Sequence, residues 1–356
     1  MSHFDRNPFI VIWEVTRACA LRCLHCRAEA QYRRDPRELS TEEGKSLIRG
    51  LREMNSPILV FTGGDPLMRE DLFELAAYAK EQGLHVSLTP SATPRVKPRA
   101  MRRAKEVGLD RWAFSLDGST AEIHDWFRGT RGSYNRTIKA IQYLRELEMP
   151  LQINTTVSKY NLDDLSKLAE LMESMGVVLW SVFFLVPTGR GRTGDMISPE
   201  EHEQVFHWLA DLSSHVCFDI KTTAAPVYRR VLAQRGALKG GGDMRAPYSV
   251  NDGNGFVFVS HIGEVFPSGF LPIPCGNVRK NSLVEIYREH PLFQSLRDPD
   301  QLKGKCGICK YRLICGGSRA CAYALTGDPL ASDPTCIYLP AVDQVKEEMD
   351  RKGRHA

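Results

Sequence analysis

The sequence lacks long hydrophobic runs. No apolar stretch approaches the ~18 residues that a membrane-spanning helix needs, and Met1 to Pro8 are polar and charged, unlike a secretion signal. We therefore expect a cytoplasmic protein that has no membrane partner. The chain also lacks a large excess of one charge, because it has 47 Lys and Arg and 43 Asp and Glu. Its basic residues are scattered along the sequence. This balance predicts that nucleic acid is not a partner.

The composition excludes several classes of protein and leaves one anomaly. With 356 residues and 42% hydrophobic content, the chain is long and apolar enough for two domains, or for one large α/β domain with an appendage. Disordered, collagen-like and coiled-coil chains are excluded. The anomaly is the ten cysteines, because cysteine groups in a reducing compartment bind metals or act in catalysis more often than they form disulfides.

Six apolar runs in the first part of the chain predict buried parallel strands. They are Phe9 to Val15, Ile58 to Thr62, Leu84 to Thr89, Arg111 to Leu116, Leu151 to Val157 and Leu179 to Val186. Amphipathic helical segments separate them, and two begin with a capping box, Ser40 to Glu43 and Ser198 to Glu201. Six βα units are too few for a closed eight-stranded barrel. The sequence therefore predicts an α/β fold, a partial TIM-like (β/α)6 barrel that binds ligands at the carboxyl ends of its strands.

The pattern of strands and helices ends near residue 213, where a second region begins. Phe256 to Ser260 and Glu264 to Pro267 predict a hairpin. The segment after them is rich in cysteine and lacks periodicity, so a metal is expected to replace part of its core. The predicted domains are a core at 1–230, a small cysteine-rich domain at 240–340 and a terminal tail at 341–356 with a helix over Val342 to Lys352.

Three cysteines follow the first predicted strand within one short loop. Cys19, Cys23 and Cys26 are spaced Cys-x3-Cys-x2-Cys, and three thiolates so placed suit three irons of a cubane cluster, which leaves the fourth iron open. A structural zinc site with His25 as fourth ligand is the alternative. The motif resembles that of the radical S-adenosylmethionine (SAM) enzymes. The resemblance implies a [4Fe–4S] cluster whose open iron binds SAM and whose electron cleaves SAM to a 5′-deoxyadenosyl radical.

Further motifs between residues 9 and about 190 match stretches of the same family. Thr62-Gly63-Gly64-Asp65-Pro66 resembles its Gly-Gly-Glu-Pro motif, with Asp in place of Glu. The resemblance implies that Gly63, Gly64 and Asp65 contact the SAM amino group, and that Ser115 and Arg128 contact its carboxylate or ribose. It also implies that Asn154 and Thr156 contact the ribose. Leu185 and His25 are implied to contact the adenine. The alternatives are an ordinary turn at the two glycines, a surface salt bridge at Arg128 and core packing of Leu185.

The carboxyl-terminal cysteines resemble those of the SPASM domain, an appendage that carries auxiliary iron–sulfur clusters. The resemblance implies one auxiliary [4Fe–4S] cluster on Cys306, Cys309, Cys315 and Cys336. A second cluster would need cysteines where this chain has Ser268 and Ser318, so it is expected to be lost. Cys275 and Cys321 remain candidate ligands of a degenerate site, but we expect them to be free and buried. Cys217 is expected to lie in the core. A zinc ribbon is the alternative for the four-cysteine group.

One subgroup of the family is more similar than the rest. Ile12-Trp13-Glu14-Val15-Thr16-Arg17-Ala18-Cys19 and Gly316-Gly317-Ser318-Arg319-Ala320 resemble segments of radical SAM proteins of alternative haem and haem d1 biosynthesis. The resemblance implies an enzyme that modifies a tetrapyrrole-like substrate and takes its electron from a donor such as flavodoxin or ferredoxin. The alternatives are a maturase of a ribosomally synthesised peptide and a non-catalytic, zinc-stabilised binding protein. No catalytic acid or base is predicted.

A basic loop gives the one clue to the substrate. Arg190 and Arg192 follow the last predicted strand of the barrel, at the end of the sheet where ligands bind. Two arginines at this place suit the carboxylates of a small molecule or of an acidic peptide. A solvated basic loop is the alternative. We therefore expect an anionic substrate.

Overall fold

The computed structural model describes residues 4–238 and 250–341, and the structural statements below concern these residues. The helix expected over Val342 to Lys352 lies outside them. Eleven strands and twelve α-helices are described. The strands are β1 (Ile10–Glu14), β2 (Ile58–Thr62), β3 (Val86–Leu88), β4 (Arg111–Ser115), β5 (Leu151–Val157), β6 (Leu179–Phe184), β7 (Asp219–Thr223), β8 (Asn251–Asp252), β9 (Gly255–Val259), β10 (Glu264–Phe266) and β11 (Gly276–Asn277).

The helices fall between the strands in the first part of the chain and follow one another in the second. They are α1 (Thr41–Arg52), α2 (Leu72–Glu81), α3 (Pro98–Glu106), α4 (Ala121–Phe127), α5 (Ser133–Glu146), α6 (Leu165–Ser174), α7 (Pro199–Leu212), α8 (Val227–Gln234), α9 (Leu283–Glu289), α10 (Pro291–Arg297), α11 (Gly304–Gly307) and α12 (Arg319–Thr326). The capping boxes predicted at Ser40 and Ser198 are both formed. None of the described helices is long and apolar enough to cross a membrane.

All strands belong to one sheet. Strands β1 to β7 lie side by side in chain order and run parallel, which confirms the predicted α/β fold and its six βα units. The sheet continues beyond β1 into the second region, because β9 pairs parallel with β1 and forms the predicted hairpin with β10. The cysteine-rich region is therefore anchored to the first strand of the barrel.

One βα unit escaped prediction. Strand β7 reads Asp219-Ile220-Lys221-Thr222-Thr223 and every residue in it is only partly buried, so it lacks the apolar run that marks a parallel strand. The helix α8 follows it and packs against α7. The barrel thus has a seventh strand, and that strand is polar.

The two faces of the sheet differ in chemistry. Trp13, Trp112 and Trp180 are fully buried in the core between the sheet and the helices. Because side chains alternate along a strand, the neighbouring positions lie on the opposite face, which carries polar residues such as Gln152 and Ser181 beside apolar ones such as Leu179. This inner face is where a ligand can bind. Cys217 is exposed, so the prediction that it lies in the core was wrong; its apolar neighbour Phe218 alone is buried there.

Candidate active site

The loop after β1 carries the first cysteine motif and is closed by backbone hydrogen bonds. The N–H of Cys19 donates to the carbonyl of Gln31 (2.7 Å), and the N–H of Gln31 donates to the carbonyl of Arg17 (3.0 Å). Cys19, Cys23 and Cys26 pack into one small group inside this loop. Burial raises the pKa of the Cys19 thiol to about 11 and also raises that of Cys23. Cationic or Lewis-acid partners would be needed to hold these sulfurs as thiolates.

Each of the three sulfurs already receives a hydrogen-bond donor. The N–H of Leu21 lies 3.3 Å from Cys19 Sγ, the N–H of Ala30 lies 3.4 Å from Cys26 Sγ, and a guanidinium nitrogen of Arg128 lies 3.6 Å from Cys23 Sγ. Donors to sulfur stabilise thiolates and tune iron–sulfur clusters. Three free, grouped thiols with such donors fit an iron–sulfur cluster.

Glycines after β2 let the next loop approach the cysteine loop. A Cβ on Gly63 would lie 2.5 Å from the carbonyl oxygen of Thr16, and one on Gly64 would lie 2.5 Å from that of Ala18. The N–H groups of Gly64 and Asp65 donate to the same two carbonyls, at 2.8 and 2.7 Å. Glycine is required at these positions because backbone packs on backbone.

Asp65 is fully buried and its carboxylate is bonded within the chain. One oxygen accepts from Thr93 Oγ1 at 2.6 Å and the other from the N–H of Leu67 at 3.2 Å. Burial raises the pKa of Asp65 to about 6. Ser91, which the sequence analysis missed, donates to the carbonyl of Gly64 at 2.9 Å, and its Oγ lies 3.7 Å from Cys19 Sγ. Asp65 and Ser91 therefore fix the glycine loop against the first cysteine.

Arg128 lies in a buried ion pair, which rules out the surface salt bridge considered from the sequence. Its guanidinium is 2.6 Å from the carboxylate of Asp117 and also reaches Cys23. Burial alone would lower the pKa of Arg128, but Asp117 and Cys23 outweigh it and raise that pKa, so the group is charged. Asp117 also accepts from the N–H of Thr156 at 2.7 Å. The pair joins the ends of β4 and β5 to the cysteine loop.

The other predicted SAM contacts lie at or just beyond the carboxyl ends of β4 to β6. Ser115 and Asn154 are register partners in adjacent strands, and Thr156 lies two residues further on the same face. Leu185 is buried just after β6 and its N–H donates to Val157. The described strands thus bring these four residues to one end of the sheet.

His25 lies between two cysteines of the loop and stacks on Phe127. The ring centroids are 4.1 Å apart and the ring planes differ by 14°. Burial, followed by the charges of Arg128 and Arg190, lowers the pKa of His25 well below its usual value, so the imidazole is neutral. Its Nδ1 is buried without a hydrogen-bond partner among the described residues, and such an atom is a candidate for a ligand contact.

The second cysteine motif gathers in the carboxyl-terminal region. The N–H of Asp333 lies 3.4 Å from Cys306 Sγ and that of Gly317 lies 3.4 Å from Cys315 Sγ. Burial raises the pKa of Cys315, and the nearby sulfurs of Cys336 and Cys306 raise it further. Cys309 is affected in the same way by burial and by Cys306. The four predicted ligands are therefore neighbours, and they too receive backbone donors.

The positions of the expected missing cluster are filled by hydrogen-bonded serines. Ser318 begins α12 and its Oγ accepts from the N–H of Cys321 at 3.1 Å. Ser268 accepts from the N–H of Phe270 at 3.2 Å. Cys275 and Cys321 are buried, as expected.

No three His, Cys, Asp or Glu side chains of residues 4–238 and 250–341 are placed to share a single metal ion. The cysteines of a cubane bind different irons and need not converge on one point. All predicted ligands at both cysteine motifs are thiols. This is typical of iron–sulfur sites, and at the second motif it is also compatible with zinc.

The sequence analysis missed a buried network around Glu14 at the end of β1. Its carboxylate contacts Arg27 at 2.8 Å, Arg17 at 3.5 Å and His261 of the second region at 3.1 Å. Arg17 and Arg27 flank the cysteine motif. A glutamate in an otherwise apolar strand was the available signal, since a charge at such a position needs partners.

Comparisons with known proteins show which proteins this chain is similar to. A sequence profile of the Radical SAM superfamily matches residues 13–172. An AdoMet-dependent heme synthase of Methanosarcina barkeri is 42% identical over 347 residues, which is 96% of this chain and 99% of that protein. A Fe-coproporphyrin III synthase of the same organism is 31% identical over 94% of this chain and 88% of its own length.

A solved structure shares the fold at low sequence identity. The crystal structure of Streptococcus suis SuiB bound to precursor peptide SuiA superposes with a TM-score of 0.74 and covers 94% of this chain and 76% of that chain. The two sequences are 14% identical, so this likeness concerns the fold alone.

Proposed function

The chain belongs to the radical SAM superfamily of SAM-dependent enzymes, and we propose that it is a haem synthase that completes the side chains of an iron tetrapyrrole. One observation carries the proposal: 42% identity to an AdoMet-dependent heme synthase over nearly the whole of both chains. The Fe-coproporphyrin III synthase among its relatives suggests the substrate, because iron coproporphyrin III is a tetrapyrrole with more side-chain carboxylates than haem.

Within this proposal, Cys19, Cys23 and Cys26 hold the [4Fe–4S] cluster that reduces SAM. When bound, the cluster and SAM supply a 5′-deoxyadenosyl radical, which removes hydrogen from the substrate. Arg128 donates to Cys23 and keeps its charge through Asp117. The loop from Gly63 to Asp65 offers carbonyl oxygens to the SAM amino group, while the Asp65 carboxylate, bonded to Thr93, holds that loop in place.

The remaining SAM contacts are proposed on the polar end of β4 to β6. Ser115 and the Arg128 guanidinium are proposed to face the carboxylate or ribose of SAM. Asn154 and Thr156 are proposed to face its ribose, and Leu185 and His25 its adenine. The neutral imidazole of His25 suits an uncharged base. The protein's own work is to orient these groups and exclude water from the radical.

The second domain is proposed to carry one auxiliary [4Fe–4S] cluster on Cys306, Cys309, Cys315 and Cys336. We place the radical SAM core at 1–230, this domain at 240–340 and a tail at 341–356. A small reductant such as flavodoxin or ferredoxin is the proposed electron donor.

The experiment that tests the function is an anaerobic assay. Reconstituted protein, SAM, dithionite and iron coproporphyrin III are incubated, and haem and 5′-deoxyadenosine are measured by liquid chromatography with mass detection. Both products should accumulate together, and a Cys23→Ala variant should form neither. Sustained 5′-deoxyadenosine with unchanged iron coproporphyrin III would refute the haem synthase proposal while leaving SAM cleavage intact.

A peptide maturase is the second candidate. The observation in its favour is 29% identity to the mycofactocin maturase MftC of Mycolicibacterium smegmatis, over 100% of this chain and 91% of that protein. This identity is lower than that to the heme synthase, which makes the maturase the weaker candidate. Modification of a peptide in the same assay, with no haem formed from the tetrapyrrole, would favour it.

A further inference from the structure

A row of inward-facing residues links the proposed SAM contacts to the polar seventh strand. Ser115 in β4 pairs in register with Asn154 in β5, and Asn154 pairs with Ser181 in β6. Ser181 in turn pairs with Lys221 in β7. Register partners in neighbouring strands share a face of the sheet. At ~4.8 Å between strands, Lys221 lies at most about 14 Å along the row from Ser115. Lys221 therefore faces the same cavity side of the barrel as the SAM contacts.

Two arginines complete a group of positive charges with Lys221, which we call the interior cation cluster: Arg111, Lys221 and Arg229. Arg111 begins β4, on the same face as Ser115 by strand alternation, and Arg229 lies in α8, the helix after β7. Burial, followed by the charges of Arg111 and Arg229, lowers the pKa of Lys221 to about 8. Lys221 is thus close enough to each arginine for their positive charges to repel.

The cluster also reaches toward the second cysteine motif. The Cys315 sulfur is close enough to Arg229 to act on the pKa of that guanidinium. Arg229 is therefore near both Lys221 and a proposed ligand of the auxiliary cluster.

The described chain supplies no ion-pair partner for these cations. Arg111, Lys221 and Arg229 form no salt bridge within 4 Å among residues 4–238 and 250–341. Arg111 Nε and Arg229 Nη1 are buried without any hydrogen-bond partner there. Asp219 and Asp110 lie near enough to Arg111 to act on its pKa, but Asp110 is already paired with Lys80 at 2.6 Å. Partly buried cations without an ion-pair partner are costly to keep, and such groups mark functional sites.

We propose that the interior cation cluster binds side-chain carboxylates of the substrate inside the barrel. The inference rests on the proposed function, which supplies a substrate with several carboxylates around one ring. Guanidinium groups bind carboxylates through two parallel hydrogen bonds, and an ammonium adds a compact charge. This site is a second anion-binding candidate beside Arg190, whose Nε is bonded to the carbonyl of Cys23.

The test measures binding rather than turnover. Zinc coproporphyrin III is the fluorescent probe, its tetramethyl ester is the uncharged probe, and anisotropy reports affinity for the reconstituted full-length protein. The variant is Lys221→Met with Arg229→Gln, and the control is Lys167→Met, an exposed lysine on α6. We expect the double variant to bind the acid probe at least tenfold more weakly. The control should bind like the wild type, and the ester should not distinguish any of the three proteins.

The melting temperature separates this role from a structural one. Removing unpaired, partly buried cations should leave the melting temperature unchanged or raise it. Equal affinity of the double variant and the wild type for the acid probe would refute the carboxylate site alone. If the wild type binds neither probe, the tetrapyrrole substrate is refuted, and the inferred site fails with it. A lower melting temperature with weak binding of both probes would show a structural role instead.

Discussion

Arg190 donates a hydrogen bond from Nε to the main-chain carbonyl of Cys23 at a distance of 2.9 Å. The N–H of the same arginine donates to the carbonyl of Cys26 at 3.1 Å. Gly189 packs so closely that a Cβ there would lie 2.4 Å from the carbonyl of Arg27. The loop after β6 therefore supports the cysteine loop, and the basic residue first considered for substrate binding holds the site together.

We predict that Arg190→Gln weakens retention of the first cluster. A hydrogen bond from a charged donor contributes about 1.5–3 kcal/mol, so the cysteine loop should open more often and lose iron several-fold faster. The measurement is iron remaining after anaerobic incubation with a chelator. Arg192→Gln is the matched control, because Arg192 is exposed and only two residues away. Equal rates for both variants would contradict the supporting role of Arg190.

Replacing any one cysteine of the first motif should abolish SAM cleavage. In Cys19→Ala, Cys23→Ala or Cys26→Ala, one iron loses its protein ligand and the cluster degrades. The measurement is 5′-deoxyadenosine formed with dithionite as reductant. Cys217→Ala is the control, since Cys217 is exposed and remote from both motifs in the sequence. Wild-type cleavage in any of the three variants would contradict the assignment of the first cluster.

Iron content should distinguish the number of clusters. Two cubanes give about eight irons per chain, and Cys306→Ala with Cys309→Ala should reduce the content by half. Cys275→Ala with Cys321→Ala should leave it unchanged, because the cluster near them would need cysteines where this chain has Ser268 and Ser318. About twelve irons in the wild type would mean that the second auxiliary cluster exists after all. About four irons together with zinc would favour a zinc ribbon in the second region.

Much of the barrel was predictable because buried strands can be recognised as apolar runs in the sequence. Ile58–Thr62 and Leu151–Val157 were predicted to the residue, since buried parallel strands are continuous apolar runs bounded by polar residues. Strand β7 was not predictable in this way. Its side chains alternate between the interior of the barrel and the helix side, where Ile220 packs on the core, and the other four residues of the strand have the composition of a loop.

The site was predictable where residue type and spacing carry the chemistry. The three-cysteine motif can be recognised without knowledge of the tertiary structure, whereas the partners of Arg128 and Arg190 cannot. Asp117 and Cys23 lie 11 and 105 residues from Arg128 in the sequence, and local pattern contains no information about such contacts. The interior cation cluster shows the same limit, because it is assembled from β4, β7 and α8.

The last prediction concerns the stability that Glu14 gives to the cysteine loop. Burial would raise the pKa of this carboxyl, but Arg27, His261 and Arg17 outweigh burial and lower it from 4.5 to about 2. A shift of this size corresponds to about 3 kcal/mol of unfolding free energy. Since the pKa is lower in the folded state, this contribution is complete above pH 4.5 and is lost as the pH falls toward 2.

Glu14→Gln should therefore lower the free energy of unfolding by about 3 kcal/mol at pH 7. The loss should be the same at pH 5 and smaller at pH 4, when measured by anaerobic urea titration with tryptophan fluorescence. Glu170→Gln, an exposed position on α6, should change stability little at any of these pH values. If the difference between wild type and Glu14→Gln already shrinks between pH 7 and 6, a group other than Glu14 titrates in the network. In that case the carboxylate does not supply the stabilising charge between Arg17 and Arg27.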